Sequence, residues 1–166
     1  MGDDAILGVD HIVLGIDPGT TETGFAMVGR DTLAPLEADK LDNVQFLQTL
    51  PSLLVSAGEV VVEGIQSYGQ AFGKTVIETC YVIGRIQQIC ADNKTPCHIY
   101  PRPEYARAIC GTVKTNDAII RRALITRFGG DKKGEPLYLL KGASDKRSAF
   151  AVAVYHCDKS KLQNQP

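Results

Sequence analysis

The sequence predicts an α/β domain, because short apolar runs typical of strands alternate with longer segments of helical periodicity. Five runs are strand-like, and two of them, 12–16 and 59–64, are apolar enough to be buried on both faces of a sheet. Five further segments have helical spacing. A chain of 166 residues suits one domain with a hydrophobic core. We expect a loose N-terminal extension at 1–11, a single domain at 12–160 and a C-terminal tail at 161–166.

The first strand, at 12–16, is followed by a single carboxylate. Pro18 stops the strand, and the strand-like run 23–28 begins a few residues later, so we expect an antiparallel hairpin with Asp17 at its mouth. A carboxylate at the end of a buried strand needs compensation, which a metal ion or the amides of the following turn can supply. The Asp-Pro-Gly stretch is also a common turn signal. Asp17 alone therefore leaves two roles open, metal ligand and turn former.

A second buried strand, at 59–64, repeats this form. Before it, the sequence predicts a short third strand at 31–36 and an amphipathic helix at 41–57, which Pro51 bends or divides. The strand at 59–64 places Glu63 just before a glycine. Two buried strands that each end in an acid form a candidate site. The alternative is a strand-end glutamate that faces water.

Two aromatic residues lie in the polar, glycine-rich stretch 66–74 that follows this strand. In a loop beside a polyanion site, Tyr68 and Phe72 are candidates for stacking on bases. They can equally fold back as a hydrophobic lid over the domain.

The segment 75–92 has the longest helical pattern in the chain. Its apolar residues cover more than one face, which predicts burial on two sides, against the sheet and against a second copy or another helix. A short strand follows at 96–100. A helix with proline in its first turn then occupies 103–110.

The helix predicted at 118–128 carries an outward-facing basic side. With the preceding connector, it presents Lys114, Arg121 and Arg122, which can form an edge that contacts phosphates. An exposed basic helix face is the competing interpretation.

The last helix, at 145–159, has an apolar middle and is expected to pack inside the domain. Ser144 is a good N-cap, and Asp145 lies in the first turn, where a negative charge is favoured by the helix dipole and by ordinary capping. Ser148 and Val152 share the face of Asp145 at i+3 and i+7, so this face can point towards the ends of the two buried strands.

The net charge of −1 conceals a strong asymmetry. Residues 1–73 hold two Lys/Arg and eleven Asp/Glu, whereas residues 74–166 hold sixteen and eight. The acidic half argues against a purely electrostatic DNA coat, and acid near a site with base around it suits metal-dependent chemistry on phosphates. The five cysteines are an odd number with no C-x-x-C pair, which indicates buried thiols rather than a disulfide framework or zinc knuckle.

Asp17, Glu63 and Asp145 are far apart in sequence, but each lies at the end of a buried element. Carboxylate and water ligands suit hard divalent cations such as Mg²⁺. Two such ions about 4 Å apart activate a water molecule and stabilise the leaving oxygen in phosphodiester hydrolysis. That chemistry needs no histidine, so the three histidines are interpreted as structural or exposed.

Four ordered stretches resemble RuvC-type Holliday junction resolvases of the ribonuclease H-like superfamily: I-D-P-G-T-T-x-T-G-F at 16–25, V-V-V-E-G at 60–64, the region 103–128, and S-D-x-x-S-A-F-A-V-A at 144–153. The resemblance covers nearly the whole chain. It implies a mixed five-stranded sheet flanked by helices and a homodimeric endonuclease. Such an enzyme makes paired symmetric nicks in a four-way DNA junction with Mg²⁺ or Mn²⁺, two ions per site. The small size and low basicity resemble a phage or viral branch.

Matched residue by residue, Asp17, Glu63 and Asp145 take the places of three metal-binding acids of the resolvases. The resolvases usually carry a further acid at the position of Ser148, whose hydroxyl is an uncharged and poor metal ligand. The resemblance also implies an aromatic residue against the central bases of the junction, Tyr68 or Phe72. The residues that approximate its DNA-contacting cations are Lys74, Arg107, Lys114 and Arg121.

Two alternatives remain open at this stage. Ser148 is consistent with a junction-binding protein that has weak or no nuclease activity. The motif D-x-G-T-T-x-T-G also resembles the phosphate-binding hairpin of the actin, Hsp70 and sugar-kinase superfamily, although those proteins close two domains over ATP. The sequence has no membrane-length apolar segment and no basic start typical of a signal peptide. We expect a cytoplasmic protein associated with DNA, in the host cytoplasm if phage-encoded, without a small-molecule cofactor.

Overall fold

The computed structural model describes residues 11–67, 69 and 71–163, and this part of the chain forms a five-stranded sheet and five α-helices. The strands are β1 (Ile12–Pro18), β2 (Glu22–Gly29), β3 (Pro35–Asp42), β4 (Glu59–Gly64) and β5 (Cys97–Pro101). The helices are α1 (Asn43–Leu54), α2 (Lys74–Asp92), α3 (Arg102–Cys110), α4 (Asp117–Phe128) and α5 (Ser144–Gln163). The expected extension and tail lie mostly outside the described residues, although 161–163 belong to α5.

The sheet is mixed, with the strand order β3-β2-β1-β4-β5. The hairpin β1–β2 and its neighbour β3 are antiparallel, whereas β1, β4 and β5 run parallel. The parallel strands therefore end at the same edge of the sheet, so the residues at their C-terminal ends meet there. The α/β fold and the mixed five-stranded sheet predicted from the sequence are confirmed.

Helices cover both faces of the sheet. On one face, α1 and α2 pack against side chains such as Leu14, Ile16 and Val62. On the other face, α5 contacts β1, β2 and β4 and is itself packed against α3 and α4. The middle of α5, residues 149–154, is fully buried, as its apolar sequence predicts. The crossing of α5 over the central strands is thus part of the buried core.

Two glycines allow α5 to lie directly on the hairpin. A Cβ atom on Gly15 would lie 2.0 Å from the carbonyl oxygen of Ala149, and a Cβ atom on Gly24 would lie 2.6 Å from atoms of Asp145. Contacts that short are impossible for a larger residue, so both positions require glycine for close backbone approach. Gly24 is also the register partner of Asp17. The glycine therefore lets the first turn of α5 approach the end of β1.

The region between the hairpin and β4 differs from the prediction. The sequence predicts the third strand at 31–36, but residues 31–34 lie in a turn in which Leu33 adopts a φ of 55°, and the strand begins at Pro35. The strand then continues through Asp42, whose side chain accepts hydrogen bonds from the amides of Val44 and Gln45 and caps α1. The start predicted for the helix, at 41, was therefore two residues early.

Two helices also differ in detail from expectation. Pro51 lies inside α1 without dividing it. Helix α2 buries one face, but the second side of its wide apolar stripe is exposed, with 67% of Tyr81 and 40% of Ile77 accessible. No helix in the described part of the chain is both long and apolar enough to cross a membrane. All five cysteines are free, but only Cys90 and Cys157 are buried as predicted, and the other three are half-buried.

Candidate active site

The carboxylates predicted to form a site lie together at the C-terminal edge of the parallel strands. Asp17 is the next-to-last residue of β1, and Glu63 is the next-to-last residue of β4. Because Ile16 and Val62 are register partners, the two acids that follow them are neighbours across the sheet. Asp145, in the first turn of α5, lies over Gly24 and brings a third carboxylate to the same place.

Asp17 is the most buried and most strongly perturbed of these acids. Burial raises the pKa of Asp17 well above its usual range, and the charges of Glu63 and Asp145 raise it further. The charge of Arg102 and a hydrogen bond from Ser148 act in the opposite direction without offsetting these effects. An ionised Asp17 is therefore under-compensated, which is the condition that a bound cation relieves.

Glu63 is held by donors from α3. Its Oε2 atom accepts a hydrogen bond of 2.6 Å from the Tyr105 hydroxyl, and its Oε1 atom lies 3.6 Å from Nη1 of Arg102. Burial raises the pKa of Glu63 although both of these contacts lower it. Burial also raises the pKa of Tyr105, so this hydroxyl stays protonated and remains a donor. The two contacts fix the orientation of the Glu63 carboxylate, with one oxygen facing Tyr105 and the other facing Arg102.

Two basic side chains reach the cluster from its rim. Nζ of Lys40, on β3, lies 2.8 Å from Oδ2 of Asp145 and 2.8 Å from Oε2 of Glu22. Hydrogen bonds to these two carboxylates raise the pKa of Lys40, so it is a cation at neutral pH. Arg102 bridges Glu63 and Asp117, with a distance of 3.0 Å between its Nη2 and Oδ1 of Asp117. Asp145 and Glu63 thus each have a cationic neighbour, Lys40 and Arg102 respectively.

Sequence reasoning missed Lys40, Arg102 and Tyr105. Lys40 was not predicted, because the sequence predicts the third strand at 31–36 and so leaves residue 40 outside the sheet. A signal for Arg102 did exist, since it directly follows β5, a strand parallel to β4, and so had to appear at the same edge as Glu63. Tyr105 lies one helical turn further along α3. No pattern in the sequence indicated that its hydroxyl would reach Glu63.

The turn after Asp17 is closed by groups other than its side chain. The Gly19 amide donates to the carbonyl of Glu22 at 2.9 Å. The side-chain amide of Asn43 donates to the carbonyls of Gly19 and Thr20, both at 3.0 Å. The backbone and Asn43 therefore hold this turn, and the Asp17 carboxylate stays beside Glu63 and Asp145. We call these three acids the acidic edge. Of the two roles left open by the sequence, the ligand role is favoured.

The predicted DNA-contacting residues lie around this edge or on nearby helices. Phe72 is exposed just before α2, and Lys74, at its first position, is 88% exposed in its side chain and lies 3.7 Å from Glu78. Arg107 is exposed on α3, and Lys114 is exposed in the connector between α3 and α4. These four side chains are accessible to a large ligand. Tyr68 lies outside the described residues.

Arg121 has a protein partner already. Its guanidinium donates two hydrogen bonds to the carboxylate of Asp131, at 2.7 and 2.8 Å. Charge-assisted pairs of this fork geometry are strong, so a phosphate would have to compete with Asp131 for this side chain. DNA contact by Arg121 stays a prediction, and it would require this side chain to leave Asp131.

Sequence comparisons identify relatives along most of the chain. A crossover junction endodeoxyribonuclease RuvC of Corynebacterium glutamicum is 28% identical over an alignment of 160 residues, and the match covers 87% of this chain and 68% of the relative. The RuvC of Corynebacterium efficiens is 27% identical over an alignment of 165 residues, and this match covers 90% of this chain and 70% of the relative. No family model matches the sequence.

Solved structures match the fold. The structure of Thermus thermophilus RuvC in complex with a Holliday junction substrate superposes with a TM-score of 0.75 and 17% identity, covering 92% of this chain and 96% of that chain. The yeast mitochondrial Holliday junction resolvase Ydc2 gives a TM-score of 0.58 at 12% identity, covering 97% and 83%. The resemblance to RuvC-type resolvases that the sequence predicted is confirmed.

Proposed function

We propose that the protein is a metal-dependent endonuclease that resolves four-way DNA junctions by paired, symmetric hydrolysis of phosphodiester bonds. The observation that carries this proposal is the convergence of Asp17, Glu63 and Asp145 at one edge of a sheet whose fold matches that of RuvC. The relatives in Corynebacterium are named crossover junction endodeoxyribonucleases, which gives the reaction.

The donor set fits a hard divalent cation. Three carboxylates and the hydroxyl of Ser148 supply only oxygen ligands, which Mg²⁺ and Mn²⁺ prefer over nitrogen or sulfur. We assign Asp17, Glu63, Asp145 and Ser148 as the groups that would hold these ions, with two as the expected number. Bound there, such ions supply an activated water and neutralise charge on the leaving oxygen.

The side chains of the chain itself orient this chemistry. Tyr105 donates to Glu63 and leaves the other oxygen of that carboxylate directed towards Arg102. Burial of Asp17 excludes water from one side of the cluster, so electrostatic interactions inside it are stronger than at the surface. The scissile phosphate therefore meets a fixed, partly dry acidic edge with Arg102 at its rim.

Ser148 gives a specific reason to consider a second function, junction binding with weak or no cleavage. Its side chain is buried beside Asp17 and acts there as a hydrogen-bond donor rather than as a charged ligand. In addition, Lys40 holds Asp145 in an ion pair. Both features lower the negative charge available to cations. The two solved structures described above are junction resolvases, which favours this function over the actin-like alternative.

We propose that the DNA lies across the exposed residues Phe72, Lys74, Arg107 and Lys114, with Tyr68 and Arg121 as further candidates. Cations that contact phosphates position the duplex arms, and an exposed aromatic ring can stack on unpaired bases at the branch point. This arrangement places the basic half of the chain around the acidic edge.

We propose that the protein acts as a homodimer that pairs through α2. Ile77, Tyr81 and Gly84 lie at i, i+4 and i+7 on the exposed side of this helix, and a Cβ atom at Gly84 would meet no atom within 4 Å. An apolar stripe with a small residue suits close packing of two identical helices. A symmetric dimer would hold two sites in a fixed relation for paired cuts.

The test of the reaction is incubation with a synthetic four-way junction, labelled on each strand in turn, in Mg²⁺ or Mn²⁺. We expect symmetric nicks that Asp17→Asn abolishes and that Asp92→Asn, at an exposed acid near the end of α2, leaves unchanged. Tight binding without nicks in either metal would favour the junction-binding function. Failure both to bind and to cut would overturn the proposal.

The dimer has a separate test, light scattering coupled to gel filtration. We expect Tyr81→Arg to give a monomer that makes unpaired nicks, because it buries a charge at the proposed interface. The matched control is Tyr138→Arg, at another exposed tyrosine, which should remain dimeric. A dimer in both variants would place the interface elsewhere.

A further inference from the structure

A second cluster of metal-ligating side chains lies at the other end of β4 and α5. Oε2 of Glu59, the first residue of β4, is hydrogen-bonded to Nε2 of His156 at 2.7 Å, and Nε2 of His98 lies 3.1 Å from the same oxygen. All three donor atoms lie within 4.8 Å of one another. We call these residues the His-Glu cluster.

The His-Glu cluster is built on three rigid elements. Glu59 and Val61 face the same side of the sheet, and His98 of β5 is the register partner of Val61, so it faces that side too. His156 reaches the same point from α5 and is buried, with 5% accessible. No loop residue contributes, so the three donors converge because the sheet and α5 pack as they do.

Neighbouring groups orient the ligands. The Tyr100 hydroxyl lies 3.0 Å from Nδ1 of His156, which directs the other ring nitrogen of this histidine at Glu59. Arg30 holds the second carboxylate oxygen of Glu59. Metal-binding histidines characteristically have such a partner at the nitrogen that does not bind the metal, and such carboxylates are themselves hydrogen-bonded.

The distances suit a small ion after a minor adjustment. Ligand atoms about 2.0–2.2 Å from a tetrahedral Zn²⁺ ion are about 3.3 Å apart. The Glu59 to His98 distance is already close to this value. The carboxylate would have to move away from Nε2 of His156, now at 2.7 Å, and the two imidazoles, whose ring centroids are 4.6 Å apart, would have to bring their donor nitrogens to the same spacing. His98 is 40% exposed in its side chain, so solvent can fill the fourth position.

We propose that the His-Glu cluster is a binding site for a transition-metal ion, Zn²⁺ by its donor chemistry, that ties β4, β5 and α5 together. Two imidazoles and one carboxylate are ligands typical of Zn²⁺ and not of Mg²⁺. With a divalent ion and two neutral histidines bound, Glu59 supplies the only negative charge of the cluster and Arg30 adds a positive one. The loaded site is therefore positive, and a solvent-derived hydroxide at the open position would lower that charge.

The site is separate from the acidic edge. Glu59 and Glu63 are four residues apart on one strand, about 13 Å. Ser148 and His156 are eight residues apart on one helix, about 12 Å. An ion in the His-Glu cluster is therefore too far away to contact a phosphate held at Asp17. Its effect is to fix the register of the two elements that carry Glu63 and Asp145.

The test is titration of the intact protein with Zn²⁺ and with Co²⁺ as a spectroscopic probe, together with thermal unfolding. We expect one equivalent of tight Zn²⁺ binding that raises the melting temperature and that excess Mg²⁺ does not displace. His98→Ala, a change at a half-exposed position, should weaken Zn²⁺ binding by about 100-fold or more, since loss of a partner group alone costs about 10- to 100-fold. His11→Ala, at an exposed histidine beside Asp31, is the matched control and should bind like the parent.

A competing Zn²⁺ site at thiols is distinguished in the same experiment. Cys90 and Cys97 hydrogen-bond each other near the start of β5. If the His-Glu cluster binds the ion, Cys97→Ser retains binding, and the Co²⁺ complex shows no thiolate charge-transfer band. Equal binding by the parent and His98→Ala, or no Zn²⁺-dependent stabilisation of the parent, would overturn the proposal, and neither result bears on junction cleavage.

Discussion

The two ends of β4 show what a buried carboxylate does when it is fully paired and when it is not. Burial opposes ionisation of Glu59, but hydrogen bonds and charge from His156 and Arg30 outweigh it, so the pKa of Glu59 is lowered. At Glu63, burial outweighs the contacts of Tyr105 and Arg102, so its pKa is raised. The same residue type on one strand is thus satisfied at one end and under-compensated at the other.

The two ends also differ in the charges that surround the acids. Glu59 faces two histidines and Arg30, whereas Glu63 lies beside Asp17, whose pKa the charges of Glu63 and Asp145 raise. Like charges close together raise one another's pKa. The acidic edge therefore keeps a demand for positive charge that the folded chain alone does not meet, which is the physical basis for assigning catalysis to that end.

The sharpest test of this comparison is the same substitution at both ends. We expect Glu63→Gln to lower the rate of junction cleavage by more than about 100-fold, because it removes a charged ligand, and partner groups alone are worth about 10- to 100-fold. Glu59→Gln should leave the rate within about threefold per folded molecule, since this end is about 13 Å away. Cleavage assays normalised by circular dichroism measure both, and equal losses would refute the division of roles.

A second test adds a negative charge to the acidic edge. Ser148→Asp places a fourth acid beside Asp17, so we expect about tenfold faster cleavage at saturating Mg²⁺, within the range that a neighbouring group contributes to a metal site. The metal-free protein should become less stable. Ser56→Asp, at an exposed serine after α1, is the control. An unchanged rate would mean that Ser148 does not limit catalysis.

The sequence predicted the acidic edge better than the opposite end, for a physical reason. Asp17 and Glu63 end buried strands, and a charge at such a position is visible in the pattern because apolar residues precede it. The His-Glu cluster left no such trace, because His98 and His156 lie in different elements and meet only through the packing of α5. The histidines had been interpreted as structural or exposed.

The supporting cations show the same limit. Lys40 reaches Asp145 only because β3 extends to Asp42, whereas the sequence placed that strand at 31–36. The prediction failed there because Leu33, whose aliphatic side chain is typical of strands, adopts a left-handed φ of 55° inside a turn bounded by Gly29 and Pro35. An error of a few residues in the predicted strand therefore left out Lys40, which contacts the candidate site.

Stability as a function of pH should separate the two ends by sign. The lowered pKa of Glu59 means that its contribution to stability is present above its ordinary pKa of 4.5 and is lost as the pH falls through the folded-state value. The raised pKa of Asp17 means that its ionisation costs stability, a cost that is absent below its ordinary pKa of 3.8 and grows as the pH rises towards the folded-state value.

At pH 7 without divalent ions we therefore expect Asp17→Asn to raise the free energy of unfolding by about 0.5–2 kcal/mol, as replacements of strained functional groups do. Glu59→Gln should lower it by about 1 kcal/mol. Both differences should shrink in acid. Urea unfolding across the pH range measures them, with Asp92→Asn expected to stay within about 0.5 kcal/mol of the parent. Destabilisation by Asp17→Asn would contradict the under-compensation of the acidic edge.

The smallest effect concerns Lys40, which supplies part of the charge that the acidic edge demands. Its ammonium lies 2.8 Å from Asp145, so a metal ion has to compete with it for that carboxylate. An exposed ion pair is worth about 0.2–1 kcal/mol, so Lys40→Met should lower the Mg²⁺ concentration for half-maximal thermal stabilisation by about 1.5- to 5-fold. Lys133→Met, at an exposed lysine, is the control. If Lys40→Met instead raises the Mg²⁺ requirement, Lys40 holds Asp145 in position for the metal. In that case Lys40 assists metal binding and does not substitute for the metal.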